Sequence, residues 1–154
     1  MKDKLLSKQG WVILLICIIS FFINNRVVVP DIMEARNMVT AREMVHDGNW
    51  LVPTMNGDLR LEKPPLPTWL TAVAEMISPD NLALQRAMAG FAAILLVAFF
   101  YLTAVQVMRN KRYAFISTIL LCTCYNIILM GRTASWDIYC HAFMMGAIYF
   151  LIRA

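Results

Sequence analysis

Charge is what this sequence has least of. Asp, Glu, Lys and Arg make up 16% of its 154 residues, against 60% apolar. A soluble domain carries about 25% charged and 45–50% apolar residues, so an ordinary water-soluble core is a poor fit. The apolar residues also fall into separate blocks that suit a bilayer. Metal and redox spacings are missing as well. Cys17, Cys122, Cys124 and Cys140 are the only cysteines, all inside apolar blocks, and none stands in a zinc or dithiol pattern. They are expected to be small buried hydrophobes. A cleavage site is a third absence. The start MKDKLLSK followed by an apolar run resembles a signal peptide, but Asn24, Asn25 and Arg26 follow where small residues would be needed. An uncleaved anchor is expected.

What is present is a set of apolar runs. The first, residues 11–29, would reach about 28 Å as a helix, close to the roughly 30 Å hydrocarbon layer. Further spans are expected at about 87–108, 113–130 and 138–153. Lys2, Lys4 and Lys8 precede the first run, and Arg109, Lys111 and Arg112 separate the second from the third. Basic residues stay on the cytoplasmic side, which puts both segments inside, the N-terminus with them, and residues 30–86 outside. Two crossings separate the basic clusters, so the two assignments agree. The net charge of +4 is thereby explained by topology, and no nucleic-acid partner is expected. The outer segment has eight acidic and five basic residues, as suits a translocated loop.

That loop is not a linker. Met38, Ala41 and Val45 recur at helical spacing within 33–47, with Arg36, Glu43 and Asp47 elsewhere around the wheel, and Gly48 is a stop signal. Asp31-Ile32-Met33-Glu34 fits a capping box: Asp31 accepts from the Glu34 N–H while Glu34 reaches back to the Asp31 N–H. After a Pro-containing turn, LEKPPLPTWLTAVAEMI predicts a second helix from Leu66 to Ile77 lying at the interface. Trp50 and Trp69 suit that depth. The fold class expected is an all-α integral membrane protein, with about four transmembrane helices and two amphipathic interfacial helices in the first outer loop.

Ionisable groups at membrane depth are functional candidates. Glu62-Lys63 is an adjacent acid and base held by Pro64-Pro65. Asp137 and His141 are four apart, on one helix face at the outer mouth of the last span. Each has a bland alternative. Glu62 and Lys63 are then solvated loop charges, Asp137 a helix cap, His141 a hydrogen-bonded core residue, and Arg132 an interfacial snorkeller.

Taken in order, Glu34-x-Arg36, Arg42-Glu43-Met44, Gly48-Asn49-Trp50, Pro53, Asn56-Gly57, Glu62-Lys63-Pro64-Pro65, Trp69 and Arg86 resemble the first outer loop of the lipid A aminoarabinose transferases, within the protein mannosyltransferase superfamily of GT-C glycosyltransferases. The likeness covers nearly the whole chain. It implies the N-terminal part of a GT-C membrane domain in the bacterial inner membrane. The implied donor is a sugar linked to polyprenyl (undecaprenyl) phosphate, and the acceptor a glycolipid such as lipid A, or a protein. It also implies site roles. Arg36 and Lys63 hold the phosphate, and Glu62, Asp137 and His141 line the sugar and acceptor pocket. The catalytic carboxylates expected are Asp31, Glu34 and Asp137, with Asp31 or Glu34 as general base for a hydroxyl acceptor. Any metal is left open.

Two departures stand out. The family reads Asp-Glu-x-Arg at the head of its first outer helix, and Met33 occupies the Asp position here. Asp31 lies two residues earlier, about 200° around an α-helix, so it can substitute only from non-helical backbone. The family's membrane domain is also much longer, which implies an N-terminal piece that is inactive alone. The alternative reading is a non-catalytic membrane protein that binds a lipid-phosphate head group, or that packs Ala87-Met88-Ala89-Gly90 against partner helices.

Overall fold

The computed structural model describes residues 8–154. Lys2 and Lys4, which carry part of the topology argument, lie outside them. The first helix, α1 (Lys8–Phe22), has 15 residues, about 22 Å, and is shorter than the run 11–29. It stops because Asn24 takes a left-handed φ of 56°. The carbonyls left open at its end go to Arg132, whose guanidinium donates to Ser20 O at 3.3 Å and Ile23 O at 2.5 Å. Arg132 is thus a cap on α1, not a snorkelling surface charge.

The second expected span is α4 (Leu82–Met108), 27 residues long, which starts five residues earlier than its apolar run. Asn81 caps it by accepting from the Leu84 N–H. The third is not one helix. α5 (Lys111–Cys122) and α6 (Tyr125–Gly131) meet at 64°. Thr123 bonds back to the carbonyls of Ile119 and Leu120, and Cys124 is extended at φ −66°, ψ 126°, which ends the helical ladder there. The last is α7 (Asp137–Arg153), 17 residues. Among the described residues, α4 alone is long and apolar enough to cross a membrane, or two spans are if the bent pair counts as one.

α7 packs chiefly on α4, with α1 and α5 against α4 as well. Ile13, Cys17 and Phe21 meet Ala89, Ala93, Leu96 and Ile138 in one core. Small residues set the spacing. A Cβ on Gly90 would lie 2.9 Å from the Phe22 ring, and one on Gly131 2.7 Å from Phe21, so the Ala89-Gly90 segment packs on α1 of the same chain. The cysteine expectation holds for two residues only. Cys17 and Cys122 are buried with Sγ atoms 3.8 Å apart, whereas Cys124, at the helix break, and Cys140, on the outward side of α7, are exposed.

The loop between α1 and α4 folds as a unit. α2 (Ile32–Asp47) ends at Gly48, φ 74°, and α3 (Pro65–Ile77) begins on its prolines. Between them lies a hairpin where only a turn was expected, β1 (Thr54–Met55) against β2 (Asp58–Leu59), with Thr54 opposite Leu59. Asn56 and Gly57 both have positive φ, 55° and 82°, the combination a two-residue hairpin turn of type I′ requires. Glu43 holds the turn by accepting from Thr54 Oγ1 at 2.7 Å and the Asn56 N–H at 2.5 Å. Trp50 and Trp69 pack on Ala41, Met44 and Ala72, and Trp69 Nε1 donates to Trp50 O.

Candidate functional site

α2 turns a polar face inward. Beside Ala41 and Met44, its buried residues are Glu34, Asn37 and Thr40. Glu34 is 0% and Arg86 1% exposed. Arg86 meets both carboxylate oxygens, Nε to Oε1 at 2.7 Å and Nη2 to Oε2 at 2.8 Å, the two-pronged geometry that fits a carboxylate best. Arg86 Nη1 also donates to Asn25 O, and Glu34 Oε1 accepts the Ala134 N–H at 2.9 Å. The expected return bond from Glu34 to the Asp31 N–H is not made, since both carboxylate oxygens are engaged elsewhere. Asn37 is fully used too. Its amide donates to Thr71 Oγ1 and to Ala134 O at 2.7 Å, and its carbonyl accepts from Thr68 Oγ1. Ala134 is therefore gripped by both its backbone groups. This docks the loop between α6 and α7 onto α2.

The outer face of α2 differs. Asp31 is exposed, and its backbone is extended at φ −76°, ψ 172°, off the helix. Its Oδ1 accepts the Glu34 N–H at 2.7 Å, so half of the capping box forms, and the second oxygen has no hydrogen bond among the described residues. Arg36 is exposed; its carbonyl accepts from Thr40 and Arg60, and its side chain makes no hydrogen bond or ion pair among the described residues. Arg36, Asn56, Asp58, Arg60 and Glu62 line a cavity of about 210 Å³. Lys63 is exposed, with Nζ 5.4 Å from the centre of the Trp136 ring, and Arg60 lies 5.2 Å from the same ring. Burial, and then the Arg36 charge, push the Arg60 guanidinium below the usual arginine range, with Glu62 opposing.

Asp137 is the first residue of α7, exposed, and follows Trp136, which occupies the cap position without a side-chain bond. Asp137 is thus not the cap. His141 Nδ1 lies 2.7 Å from Asp137 O. A carbonyl only accepts, so Nδ1 carries the proton, and Nε2 makes no hydrogen bond among the described residues. Among the described residues, no hydrogen bond or ion pair joins Asp31, Arg36, Glu62 or Lys63 to Asp137 or His141. No group of three His, Cys, Asp or Glu side chains there comes together as a metal site.

Sequence reasoning passed over Arg60, Asn37 and Trp136. Arg60 stands two residues before the Glu-Lys-Pro-Pro motif, close enough to have been suspected. Asn37 at helical spacing from Glu34 also marked an inward polar stripe. Nothing local signalled that Trp136 would lie against Lys63.

A helical unit whose loop between α1 and α4 packs two short helices over a polar interior, with cations left exposed, is the architecture of a GT-C glycosyltransferase membrane domain. A solved structure shares the fold, the crystal structure of ArnT from Cupriavidus metallidurans bound to undecaprenyl phosphate. The TM-score is 0.78 at 20% identity, over 95% of this chain and 27% of that one. The chain belongs to the dolichyl-phosphate-mannose-protein mannosyltransferase family, whose profile matches residues 9–154. Curated relatives named undecaprenyl phosphate-alpha-4-amino-4-deoxy-L-arabinose arabinosyl transferase include one from Pseudomonas savastanoi pv. phaseolicola, 34% identical over 60% of this chain and 17% of its own length. Another, from Shewanella sediminis, is 31% identical over 70% of this chain and 19% of its own length. The chain thus spans less than a fifth of the length of these relatives.

Proposed function

We propose that this chain forms the outer-face donor site of a membrane glycosyltransferase that uses an undecaprenyl-phosphate-linked sugar. The observation that carries the reading is the state of Arg36 and Lys63. Both are exposed cations with no carboxylate bonded to them among the described residues, and Asp31 is exposed as well. Two such donors stabilise a phosphate as negative charge builds on it. An acceptor oxygen attacks the anomeric carbon, the bond from that carbon to the phosphate oxygen breaks, and the electron pair leaves with undecaprenyl phosphate. A hydroxyl acceptor gives up a proton, and the free oxygen of Asp31 takes it. A phosphate acceptor is already ionised and needs only positioning.

Glu34 has a different part. A general base must reach the proton it takes, and Glu34 is fully buried with both oxygens bonded. It holds Arg86 and Ala134 in place. Asp137, Glu62 and the open Nε2 of His141 face the sugar and acceptor. α3 lies on the bilayer surface, with Val73, Met76 and Ile77 exposed outward. The chain crosses the inner membrane four times from a cytoplasmic N-terminus, α5 and α6 making one broken crossing. The names of the relatives support 4-amino-4-deoxy-L-arabinose as the sugar, and the acceptor is lipid A, another glycolipid or a protein.

The test is sugar transfer by the complete enzyme carrying Lys63→Ala, assayed with lipid A, other glycolipids and protein acceptors. Transfer is expected to be lost with normal membrane insertion. Unchanged transfer would remove Lys63 from the phosphate site and favour a non-catalytic lipid-phosphate binder.

A further inference from the structure

Arg60 breaks a rule that Arg86 obeys. Buried arginines are ordinarily paired with a carboxylate. Arg86 is paired with Glu34, across the inner face of α2. Arg60 is only 7% exposed, yet every hydrogen-bond partner it has among the described residues is neutral. Nη1 donates to Arg36 O at 2.6 Å and to Thr40 Oγ1 at 2.7 Å, with Met55 Sδ at 3.6 Å. Nε and Nη2 carry no hydrogen bond there. They are two parallel donors of the guanidinium fork, the pair that fits two oxygens of a phosphate.

Trp136 shows why the cation sits there. The residue is 5% exposed, and its Nε1–H is buried without an acceptor among the described residues. That is an unfavourable place for an indole, which normally finds a partner for its N–H when buried. The ring instead has two cations near its centre, Arg60 at 5.2 Å and Lys63 at 5.4 Å. Its π-face, not its N–H, therefore fixes its position. One ring thus has both a buried and an exposed cation against it. Arg60 and Arg36 meanwhile line the same cavity of about 210 Å³, which Asp58 and Glu62 also line.

The geometry points to Arg60 as a third cation of the Arg36–Lys63 anion site, taking two phosphate oxygens of a lipid-linked phosphate, with Trp136 as the residue that positions Arg60 and Lys63 against each other. This rests on the reading of Arg36 and Lys63 as the phosphate holders. The bound phosphate supplies the hydrogen-bonded anion that Arg60 lacks among the described residues, since the nearby Glu62 charge makes no hydrogen bond to it. Arg60 reaches it from below the hairpin while Lys63 reaches it from the loop.

The experiment is calorimetric titration of the whole chain in detergent with farnesyl phosphate, with farnesol as the uncharged control and inorganic phosphate as the headgroup alone. Wild type is expected to prefer farnesyl phosphate to both. Arg60→Gln should weaken farnesyl phosphate about tenfold, leave farnesol unchanged and flatten the salt dependence. Arg60→Lys, which keeps the charge without the fork, should fall between. Trp136→Leu should weaken farnesyl phosphate about fivefold and Trp136→Phe much less, since Phe keeps an aromatic face. If Arg60→Gln does not fold, the two Trp136 variants decide, because neither touches a hydrogen bond of Arg60.

Wild-type affinity in Arg60→Gln, or in Trp136→Leu, makes Arg60 a hairpin staple and overturns the inference. Loss in Lys63→Ala alone has the same meaning, while the phosphate site itself stands. Tight binding of inorganic phosphate alone would remove the lipid from the assignment. If wild type does not separate farnesyl phosphate from farnesol, the phosphate reading of Arg36 and Lys63 falls, and Arg60 with it.

Discussion

Glu34 and Arg36 stand two residues apart on α2 and meet opposite surroundings. Two steps turn a helix by about 200°, which puts Glu34 inside and Arg36 outside. Inside, each donor finds an acceptor: Arg86 meets Glu34, Asn37 meets Thr68, Thr71 and Ala134, and Ala134 is held at both its N–H and its carbonyl. Outside, the cations of Arg36 and Lys63 and the second oxygen of Asp31 have no bonded partner among the described residues. A polar group satisfied by its own chain builds the fold, and one left over is available to a ligand. The letters Glu-x-Arg look like one motif, but the helix divides them between the two tasks.

The comparison can be broken most severely at Glu34. Glu34→Ala leaves the Arg86 charge buried alone, which should cost about 3–5 kcal/mol and show as a large fall in the thermal unfolding midpoint in detergent. A variant that melts like wild type would mean the inner face is not structural. Arg36→Ala is the opposite case. Its side chain bonds nothing among the described residues, so stability should change by no more than about 0.5 kcal/mol. Farnesyl phosphate binding should weaken by about tenfold, as for loss of a charged hydrogen bond. A stability loss without a binding loss would reverse the roles of the two faces.

Asp31 stands on the border and sharpens the division. Asn caps about as well as Asp, while Ala costs about 1 kcal/mol, so Asp31→Asn should melt like wild type and Asp31→Ala slightly lower. Full transfer by the complete enzyme carrying Asp31→Asn would make Asp31 a cap and nothing more.

The smallest effect lies at the far end of α2. His46 donates to Asp47 at 2.7 Å, and that bond, with the Asp47 charge, raises its pKa above the usual histidine range. A raised folded pKa stabilises the fold at pH below the unfolded value, and the gain is lost as pH rises through the folded one. NMR titration of His46 should show the raised value, and Asp47→Asn should bring it back down.

Much of this was legible where the cause is local. Asp31 and Gly48 bound α2 as their types predict, because a cap and a left-handed stop depend on a few neighbouring residues. α3 begins on its prolines for the same reason. What was not legible depends on distant groups. Glu34 could not be seen to abandon its half of the capping box, because the competing donor, Arg86, is 52 residues away. α1 ends before its apolar run does, and the carbonyls near its end are taken up by Arg132, 112 and 109 residues on. Periodicity carried α5 through into α6, since nothing in a hydropathy pattern marks a Thr bonding to its own helix. On the outer face, the family motif pointed to Lys63 but not to its ring partner, which lies across a chain separation no local pattern spans.

The double grip on Ala134 also sets an order of events during synthesis. Glu34 and Asn37 must wait for a residue 100 and 97 positions later. At about 5–20 residues per second, that is roughly 5–20 s in which the loop between α1 and α4 has its α4 partner but not its clasp. Until the stretch before α7 has emerged, the Glu34 carboxylate should still react with a carboxyl-directed reagent, which arrested chains of increasing length would reveal. The clasp on Ala134 thus acts as a timer, completing the enclosure of Glu34 only after α7 has begun.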